Sequence, residues 1–423
     1  MSPEVGQSRL VVVGQGYVGL PLALRGVEAG FDVVGFDVDA NRVKRLAAGS
    51  SYVEDISDGR LAAALATGRY EPTDDPERMA GFDVAVIDVP TPLRDGQPHL
   101  VHVEAAAAML GRHLKRGATV ILESTTYPGT TEELVRPLLE EGSGLLAGDD
   151  FFLGYSPERI DPGNTTWDLV STPKVVSGVD EGSLAAVAAF YGRIVTTTVA
   201  VSGTKEAELV KLLENTFRHV NIALVNELAM FAGDLGIDIW EAIQAASTKT
   251  FGYMRFTPGP GVGGHCLPVD PSYLSWAVRR TLGESFRFVE LANDVNAHMP
   301  DYVVRRLVVA FNRMGKALKG SRVLLLGLAY KANTGDAREA PGTVIAERLA
   351  ALGAEVHVAD PHLAHDTHGP FTLVELCAEE LEGADGVVLV TDHRAFDYDL
   401  VTTRAAYVLD TRGRLDGPNV ERL

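Results

Sequence analysis

The chain has 423 residues, 46% of them hydrophobic, and a mean hydropathy of +0.06. This predicts roughly two to three domains and excludes a globally disordered chain. With 38 Lys and Arg against 57 Asp and Glu, the net charge of −19 argues against a nucleic-acid binder, because such a surface repels polyphosphate. Two cysteines are too few for a disulfide scaffold. We find no signal peptide or membrane-length apolar run, and we expect a cytoplasmic protein without a membrane partner.

From residue 9 onward, short apolar runs alternate with helical patterns. The predicted buried strands read RLVVVG, FDVVGFD, DVAVIDVP, ATVILES and FFLGYSPE. Segments between them, such as YVGLPLALRGVEAG and EAAAAMLGRHL, have the periodicity of amphipathic helices. Strands that alternate with helices predict a parallel sheet covered on both faces.

A long helical segment interrupts this alternation. The sequence TKEAELVKLLENTFRHVNIALVNELAMFAGDLG predicts one helix over 204–236, which would bridge domains or pair with a copy of itself. Helical sequence continues to residue 318, and strands return at SRVLLLGLAY, AEVHVADP, DGVVLVTD and YVLDTRG. We therefore predict an α/β chain with domains at 1–202 and 318–423 and a helical middle domain at 203–317.

The motif GQGYVG after the first strand is typical of a dinucleotide-binding turn. Gly14 permits the tight turn, Gly16 lets a pyrophosphate approach the backbone, and Gly19 allows close contact between helix and strand. Asp37 ends the next strand, where a carboxylate hydrogen-bonds the adenosine ribose. A carboxylate repels a 2′-phosphate, so the pattern favours NAD over NADP, although Arg42 nearby weakens that discrimination.

The segment PGPGVGGHCLPVDP at 258–271 predicts a shaped, irregular loop around Cys266. Backbone N–H groups in such a loop stabilise a thiolate, and Asp270 could accept or deliver a proton. His265 has no second ligand at metal spacing, so we predict no metal site. By contrast, Cys377 in the helical stretch FTLVELCAEE has the pattern of a buried small hydrophobic residue.

Two polar residues of the long helix could assist a nucleophilic cysteine. Lys211 and Asn215 are four residues apart and project from one helix face. Alone, such a pair is more typical of a solvated helix surface. A thiolate that attacks a carbonyl, however, needs donors where the oxyanion develops, and an ammonium and an amide are such donors.

Together these motifs make the chain resemble the nucleoside-diphosphate-sugar 6-dehydrogenases, the family of UDP-glucose, UDP-N-acetylhexosamine and GDP-mannose dehydrogenases. The matching segments include GQGYVGLPLA, ILESTTYPGTT, FLGYSPERIDPGN and GLAYKANTGDAREAP, besides the cysteine loop and the long helix. The resemblance implies two Rossmann-like domains joined by a long central helix through which subunits form a homodimer. It also implies that NAD oxidises the C6 alcohol of a nucleoside-diphosphate sugar to a uronic acid through a cysteine thiohemiacetal and thioester.

The resemblance assigns further roles. Cys266 is the nucleophile, Lys211 and Asn215 stabilise the oxyanion and orient water, and Asp270 activates water. Thr125 would hold a water near the nicotinamide, and Glu158 would be a general base. The implied cofactor contacts also include Tyr17, Val18, Thr91, Ser124 and Thr125. The implied substrate contacts are Glu158, Arg159, Lys211, Asn215, Arg218, Gly263, Lys331 and Arg338, of which the last two would grip the anionic half of the substrate.

Departures from the UDP-glucose branch guide the choice of substrate. Pro162 stands where that branch has a second glutamate, Thr250 where it has an arginine, and His265 where it has a serine. The resemblance therefore favours UDP-GlcNAc or UDP-ManNAc and leaves UDP-glucose or dTDP-glucose open. Two other classes compete: a two-electron hydroxyacid-type dehydrogenase, against which Cys266 argues, and a non-catalytic NAD- or sugar-nucleotide-binding scaffold.

Overall fold

The computed structural model describes residues 8–53, 55–94, 96–160, 166–264, 266–363 and 367–423, without the side chain of Cys266. His265 and Pro162 lie outside the described residues. The chain divides into two compact units. The first comprises residues 1–214 and 276–281, and the second comprises residues 215–275 and 282–423.

The first unit is built on a parallel sheet of six strands. In chain order its strands and short pairs are β1 Arg9–Val13, β2 Asp32–Phe36, β3 Tyr70–Thr73, β4 Val84–Ile87, β5 Leu93–Arg94, β6 Gln97–Pro98, β7 Thr119–Leu122, β8 Phe152–Tyr155, β9 Lys174–Val176 and β10 Thr198–Ala200. The sheet order is β3-β2-β1-β4-β7-β8, while β9 pairs with β10 and β5 with β6. The strand order reverses between β1 and β4, which is where ligands bind in folds of this kind.

Helices of the first unit cover this sheet. They are α1 Gly19–Glu28, α2 Ala40–Ala47, α3 Asp58–Ala66, α4 Val101–His113, α5 Arg136–Ser143 and α6 Glu181–Ile194, with a 3₁₀ turn at Pro76–Met79 and a π turn at Thr131–Val135. Asp39, Ser57 and Asp180 each accept a backbone N–H at a helix start, as N-cap residues do. Leu10 and Val12 of β1 and Leu20 and Leu24 of α1 share one buried core.

Four helices follow: α7 Thr204–Leu235, α8 Ile239–Ala246, α9 Cys266–Leu282 and α10 Arg287–Arg313. The 32 residues of α7 confirm the predicted long helix. The irregular loop that we predicted to contain Cys266 is shorter than expected, because Cys266 begins α9. Gly264 in this loop has a φ of +84°, and Pro268 falls in the first turn of α9, where a missing N–H costs nothing.

The second unit carries a second parallel sheet with the same arrangement. Its elements are β11 Arg322–Leu326, α11 Pro341–Ala351, β12 Glu355–Ala359, β13 Thr372–Leu373, α12 Ala378–Gly383, β14 Gly386–Leu389, α13 Tyr398–Arg404, β15 Val408–Asp410 and β16 Val420–Arg422. The order β13-β12-β11-β14-β15-β16 places the first strand in the middle, as in the first sheet. The predicted fold class is thus confirmed.

Each of the nine apolar runs that we predicted as strands forms a strand of one of these sheets. The expectation for Cys377 is wrong. It is half-buried and precedes the first residue of α12 as its N-cap, because the segment before it has extended backbone. Among the described residues, no helix combines the length and apolar character needed to span a bilayer.

Candidate active site

The turn after β1 has the close packing that a dinucleotide-binding motif requires. Gly14 has a φ of +98°, and a Cβ there would lie 1.9 Å from the carbonyl oxygen of Asp88. A Cβ on Gly19 would lie 1.9 Å from the carbonyl oxygen of Gly14, whereas a Cβ on Gly16 would meet nothing within 4 Å. The backbone at Gly16 therefore faces open space at the start of α1, which fits a pyrophosphate.

Asp37 follows β2 directly beside this turn. Its carboxylate accepts the N–H of Gln15 at 3.0 Å and the N–H of Asp39 at 2.9 Å. Arg42 approaches it at 3.5 Å and also lies over the ring of Tyr52. Asp37, the carboxylate that we predicted to bind the adenosine ribose, is only 5% exposed. Its hydrogen bond from Gln15 also holds the glycine turn in place.

The other predicted cofactor residues lie on the same turn or after β4 and β7. Tyr17 is exposed and Val18 is half-buried at the start of α1, while Thr91 is buried after β4. The Ser124 hydroxyl accepts the N–H of Val89 at 2.8 Å and so joins the ends of β4 and β7. Thr125 is half-buried, whereas the hydroxyl of Thr126 is fully buried and finds no hydrogen-bond partner among the described residues. The sequence analysis overlooked Thr126.

Glu158 and Lys211 meet in the first unit. The Lys211 ammonium donates to the backbone carbonyl of Glu158, and both side chains are more than nine-tenths buried. Burial would raise the pKa of Glu158, but the charges of Lys174 and Lys211 outweigh it, and the pKa lies below its ordinary value. The predicted base is therefore held ionised.

The helix that carries Lys211 is anchored near its start by a buried glutamate that sequence reasoning missed. Glu208 accepts the N–H of Gly129 at 2.5 Å, and the N–H and hydroxyl of Thr131 at 2.8 and 2.7 Å. These contacts tie α7 to the segment that follows Ser124 and Thr125. Burial raises the pKa of Glu208 to about 7.

In the second unit, the predicted water-activating residue sits one helical turn after the predicted nucleophile. Cys266 begins α9 and Asp270 lies four residues later, 3% exposed. Asp270 accepts a hydrogen bond from the side-chain amide of Asn215 at 2.5 Å. The side-chain amide of Asn215 on α7 is therefore oriented toward α9, the helix that begins at Cys266.

The glycines of the loop before Cys266 lie in close contact with other parts of the second unit. A Cβ on Gly263 would lie 2.7 Å from the carbonyl oxygen of Glu339, and one on Gly264 would lie 2.6 Å from the ring of Tyr330. The N–H of Gly259 donates to the buried amide oxygen of Asn226 at 2.9 Å. The glycines therefore let the loop lie directly against residues 330–341, which follow β11.

The three segments of this chain match three family models in order. The UDP-glucose/GDP-mannose dehydrogenase NAD binding domain matches residues 8–195, the central domain residues 205–298 and the UDP binding domain residues 324–417. The chain belongs to the UDP-glucose/GDP-mannose dehydrogenase family. It is accordingly an oxidoreductase with an NAD-binding domain and a nucleotide-sugar substrate.

Individual family members are similar over almost the full chain. The UDP-N-acetyl-D-mannosamine dehydrogenase of Pyrococcus horikoshii is 37% identical over 92% of this chain and 90% of its own length. The UDP-N-acetyl-D-glucosamine 6-dehydrogenase of Pseudomonas aeruginosa is 38% identical over 92% and 91%.

Solved structures of the family share the fold. The P. horikoshii UDP-D-ManNAc dehydrogenase structure has a TM-score of 0.90 at 34% identity and covers 98% of each chain. A UDP-glucose dehydrogenase from Pyrobaculum islandicum has a TM-score of 0.86 at 30% identity, covering 100% of this chain and 98% of that chain. Because members named for different sugars are this similar, the overall fold does not select the sugar.

Four predicted cations of this dehydrogenase lie in different settings. Arg159 is half-buried and forms two contacts with Glu214, at 2.6 and 3.3 Å, besides one to the carbonyl of Pro173. Arg218 is exposed on α7. In the UDP binding domain, Lys331 is half-buried, and Arg338 is exposed and forms a bidentate pair with Asp336.

A further cation of the family's UDP binding domain was missed by the sequence analysis. Arg412 is half-buried, donates from Nε to the carbonyl of Val390 at 2.6 Å, and places Nη1 2.9 Å from where a Cβ of Gly259 would be. Its signal in the sequence is slight: the arginine follows the strand YVLDT and precedes a glycine.

Proposed function

We propose that this dehydrogenase oxidises a UDP-N-acetylhexosamine, UDP-GlcNAc or UDP-ManNAc, to the corresponding uronic acid. The support comes from relatives named for these substrates that match over more than nine-tenths of this chain. The alternative substrate is UDP-glucose or dTDP-glucose, since a UDP-glucose dehydrogenase shares the fold.

The proposed mechanism is covalent. Glu158 accepts the proton of the sugar's C6 hydroxyl in the first oxidation. The Cys266 thiolate then bonds to the aldehyde carbon, and Lys211 and Asn215 donate hydrogen bonds to the oxyanion of the thiohemiacetal. NAD⁺, when bound, would accept one hydride in each of the two oxidations, and the second oxidation would convert the thiohemiacetal to a thioester. Asp270 takes a proton from water as its oxygen adds to the thioester carbon, and the Cys266 sulfur leaves as the thiolate.

One observation carries this assignment of roles. The Asn215 amide donates to Asp270 at 2.5 Å, and Asp270 lies one helical turn after Cys266. A two-electron dehydrogenase has no need of a nucleophile, a carboxylate and an amide donor in this arrangement. The pair fits a step in which water adds to a cysteine-bound acyl group.

The first test measures NADH released per sugar nucleotide consumed on UDP-GlcNAc, UDP-ManNAc, UDP-glucose, dTDP-glucose and GDP-mannose. We expect two NADH for each UDP-N-acetylhexosamine oxidised. One NADH per sugar would mean that the aldehyde is the product, which would contradict the role given to Cys266. Faster turnover of UDP-glucose would contradict the proposed substrate but not the proposed covalent mechanism.

The second test changes the nucleophile. Cys266→Ala should abolish uronate formation, while Cys377→Ala is a matched control because it removes the other cysteine, which precedes α12, and should leave the rate near wild type. Cys266→Ser should accumulate an ester-like adduct visible by intact-protein mass. Normal turnover by Cys266→Ala would exclude the covalent scheme.

The proposed assembly is a homodimer that pairs through α7. This helix exposes a line of large apolar side chains: Leu213 61%, Phe217 47%, Leu224 53%, Leu228 45%, Phe231 56% and Leu235 72%. Their spacing of three, four or seven residues puts them on one face. A continuous apolar face of this kind is typical of a protein interface.

Light scattering tests the dimer. The wild type should have twice the chain mass of 45.3 kDa at micromolar concentration, and the double variant Leu228→Glu/Phe231→Glu should be monomeric. Leu352→Glu changes an exposed leucine of similar accessibility at the end of α11 and should remain dimeric. A wild-type monomer would refute the pairing. A cytoplasmic location remains a prediction from the sequence.

A further inference from the structure

Next to Glu158 lies a group of buried polar residues, Lys174, Glu123 and Tyr191, to which the proposed mechanism assigns no role. The Lys174 ammonium contacts Glu123 Oε1 and lies 3.7 Å from Glu158 Oε2. The Tyr191 hydroxyl donates to the other oxygen of Glu123 at 2.6 Å. Lys174 is 3% exposed, and Glu123 and Tyr191 are not exposed. One ammonium thus serves two buried carboxylates.

This sharing leaves one carboxylate incompletely neutralised. The Oε2 atom of Glu158 is buried and has no hydrogen-bond partner among the described residues, while its Oε1 accepts the N–H of Ile160. Burial raises the pKa of Glu123 to about 7, against the attraction of Lys174. A buried carboxylate oxygen without a hydrogen-bond donor is costly, and a catalytic role is one reason to keep such an oxygen.

Other charged groups face Glu158 from three elements. Lys211 on α7 contacts its carbonyl, Lys174 on β9 faces its carboxylate, and Asp88 after β4 adds a third acid. Burial, and after it the nearby carboxylates of Glu123 and Glu158, raise the pKa of Asp88 well above its ordinary value. The groups that face Glu158 are thus the ammoniums of Lys174 and Lys211 and the acids Glu123 and Asp88.

We propose that Lys174 is a positioning residue of this reaction, whose ammonium, shared with Glu123, keeps Glu158 ionised and its free oxygen available to the sugar hydroxyl. The proposal rests on the proposed role of Glu158 as the base. Lys174 touches neither substrate nor cofactor in this scheme. It acts through Glu158, which shares the Lys174 ammonium with Glu123.

The positive charge of Lys174 predicts different effects for two variants. Lys174→Met removes the positive charge, so the acid limb of the kcat–pH profile should move to higher pH by about 1–3 units. Glu123→Gln leaves the charge of the cluster nearly unchanged below pH 7, where Glu123 is largely protonated, so the limb should stay near its wild-type position. Tyr191→Phe, the control, loses one hydrogen bond within the same cluster without a change of charge and should leave the limb where it is.

A merely structural role would lower the rate of all three variants without moving the limb, and that result would overturn the proposal. A limb that moves to higher pH in Glu123→Gln as far as in Lys174→Met would overturn it also. If Lys174→Met fails to fold, Lys174→Gln removes the same charge and decides by the same shift. Glu158→Gln distinguishes the role of Glu158 from the role of Lys174. An undiminished rate in Glu158→Gln refutes Glu158 as the base. A lost rate in Glu158→Gln together with an unmoved limb in Lys174→Met refutes only the role of Lys174.

Discussion

The two parallel sheets of this chain use the same turn after their first strand and then diverge. Gly14 donates its N–H to Phe36 at 2.8 Å, and Gly327 donates its N–H to Ala359 at 2.9 Å. Both glycines have positive φ, +98° and +83°. In each sheet, an aspartate directly after the second strand accepts backbone N–H groups of the turn. The scaffold is therefore the same in both sheets.

The difference lies in the segment between the turn and the next helix. In the first sheet, α1 begins at Gly19 and its N-terminus stays open. In the second, residues 327–340 intervene before α11, and Asp360 is closed off by the ring of His393 at 3.0 Å, with neither side chain exposed. His393 accepts the N–H of Asn333 on Nδ1, so the proton sits on Nε2 and the ring donates to Asp360. One turn fits a dinucleotide, and the other supports the loop that contacts the glycines before Cys266.

The largest expected effect tests the shared scaffold. Gly14→Ala and Gly327→Ala should each lower the free energy of unfolding by about 3 kcal/mol, because the new Cβ meets a carbonyl oxygen at a positive φ. Gly16→Ala is the control: it should keep wild-type stability and weaken NAD binding. Denaturant unfolding measures this, and a stable Gly327→Ala would show that the second turn is not equivalent to the first.

The next effect separates the two aspartates. Asp360→Asn should cost about 2 kcal/mol of stability, since it removes a buried charged acceptor of the His393 and backbone donors. Asp37→Asn should cost less, because the solvent-exposed Arg42 is its ion-pair partner. Thermal unfolding measures both losses of stability. Equal losses in the two variants would mean that the hydrogen bond from His393 to Asp360 adds no stability.

The same pair of variants should differ in cofactor use. Asp37→Asn should raise the Michaelis constant for NAD about tenfold, because one hydrogen bond to a charged group is lost. The variant should also show a weaker preference for NAD over NADP. Asp360→Asn, assayed at a temperature where it is folded, should leave that constant unchanged. An unchanged NAD constant in Asp37→Asn would remove Asp37 from the cofactor site.

The smallest effect is in pH dependence, and its sign differs between the units. Glu208 has a raised folded pKa of about 7, so its contribution to stability falls as pH rises from its unfolded value of 4.5 toward 7. Between pH 5 and 6 the slope is on the order of 1 kcal/mol per pH unit, and Glu208→Gln should remove it.

Asp360 behaves oppositely. Burial would raise its pKa, but the hydrogen bonds from His393 and the backbone outweigh it and lower the pKa. Its contribution is present above the unfolded pKa of 3.8 and is lost as pH falls below that value. Unfolding free energies of Glu208→Gln, Asp360→Asn and the wild type, measured from pH 3 to 8, test these opposite pH dependences. A slope between pH 5 and 6 that persists in Glu208→Gln would contradict it.

The elements with local signals were predictable. Apolar runs predicted the central strands and the edge strand β8, and α7 was predicted because its periodicity is unbroken. Short outer strands were missed: the YEPT segment of Tyr70–Thr73 is polar and contains a proline, and pairing with β2 holds it extended. The helical start at Cys266 was missed because the glycines and prolines before it concealed where the loop ends.

The site was predictable only where its residues are close in sequence. Lys211 and Asn215 are one turn apart, so their common face follows from helix geometry. The partners Lys174 and Glu123 are 51 residues apart, and Glu208 and Gly129 are 79 apart. Such pairings depend on tertiary structure, although a charged residue at the edge of an otherwise apolar strand, as in KVV of β9, is a usable signal.

The contact of Gly263 and Gly264 with residues 330–341 also limits how the enzyme can evolve. A side chain at either glycine would collide with Glu339, Pro341 or Tyr330, so neither position is open to substitution. A lineage that acquires a new sugar preference must therefore do so through neighbouring positions, while this stretch of backbone is inherited unchanged. In directed evolution, libraries that spare both glycines should retain far more folded clones than libraries that randomise them.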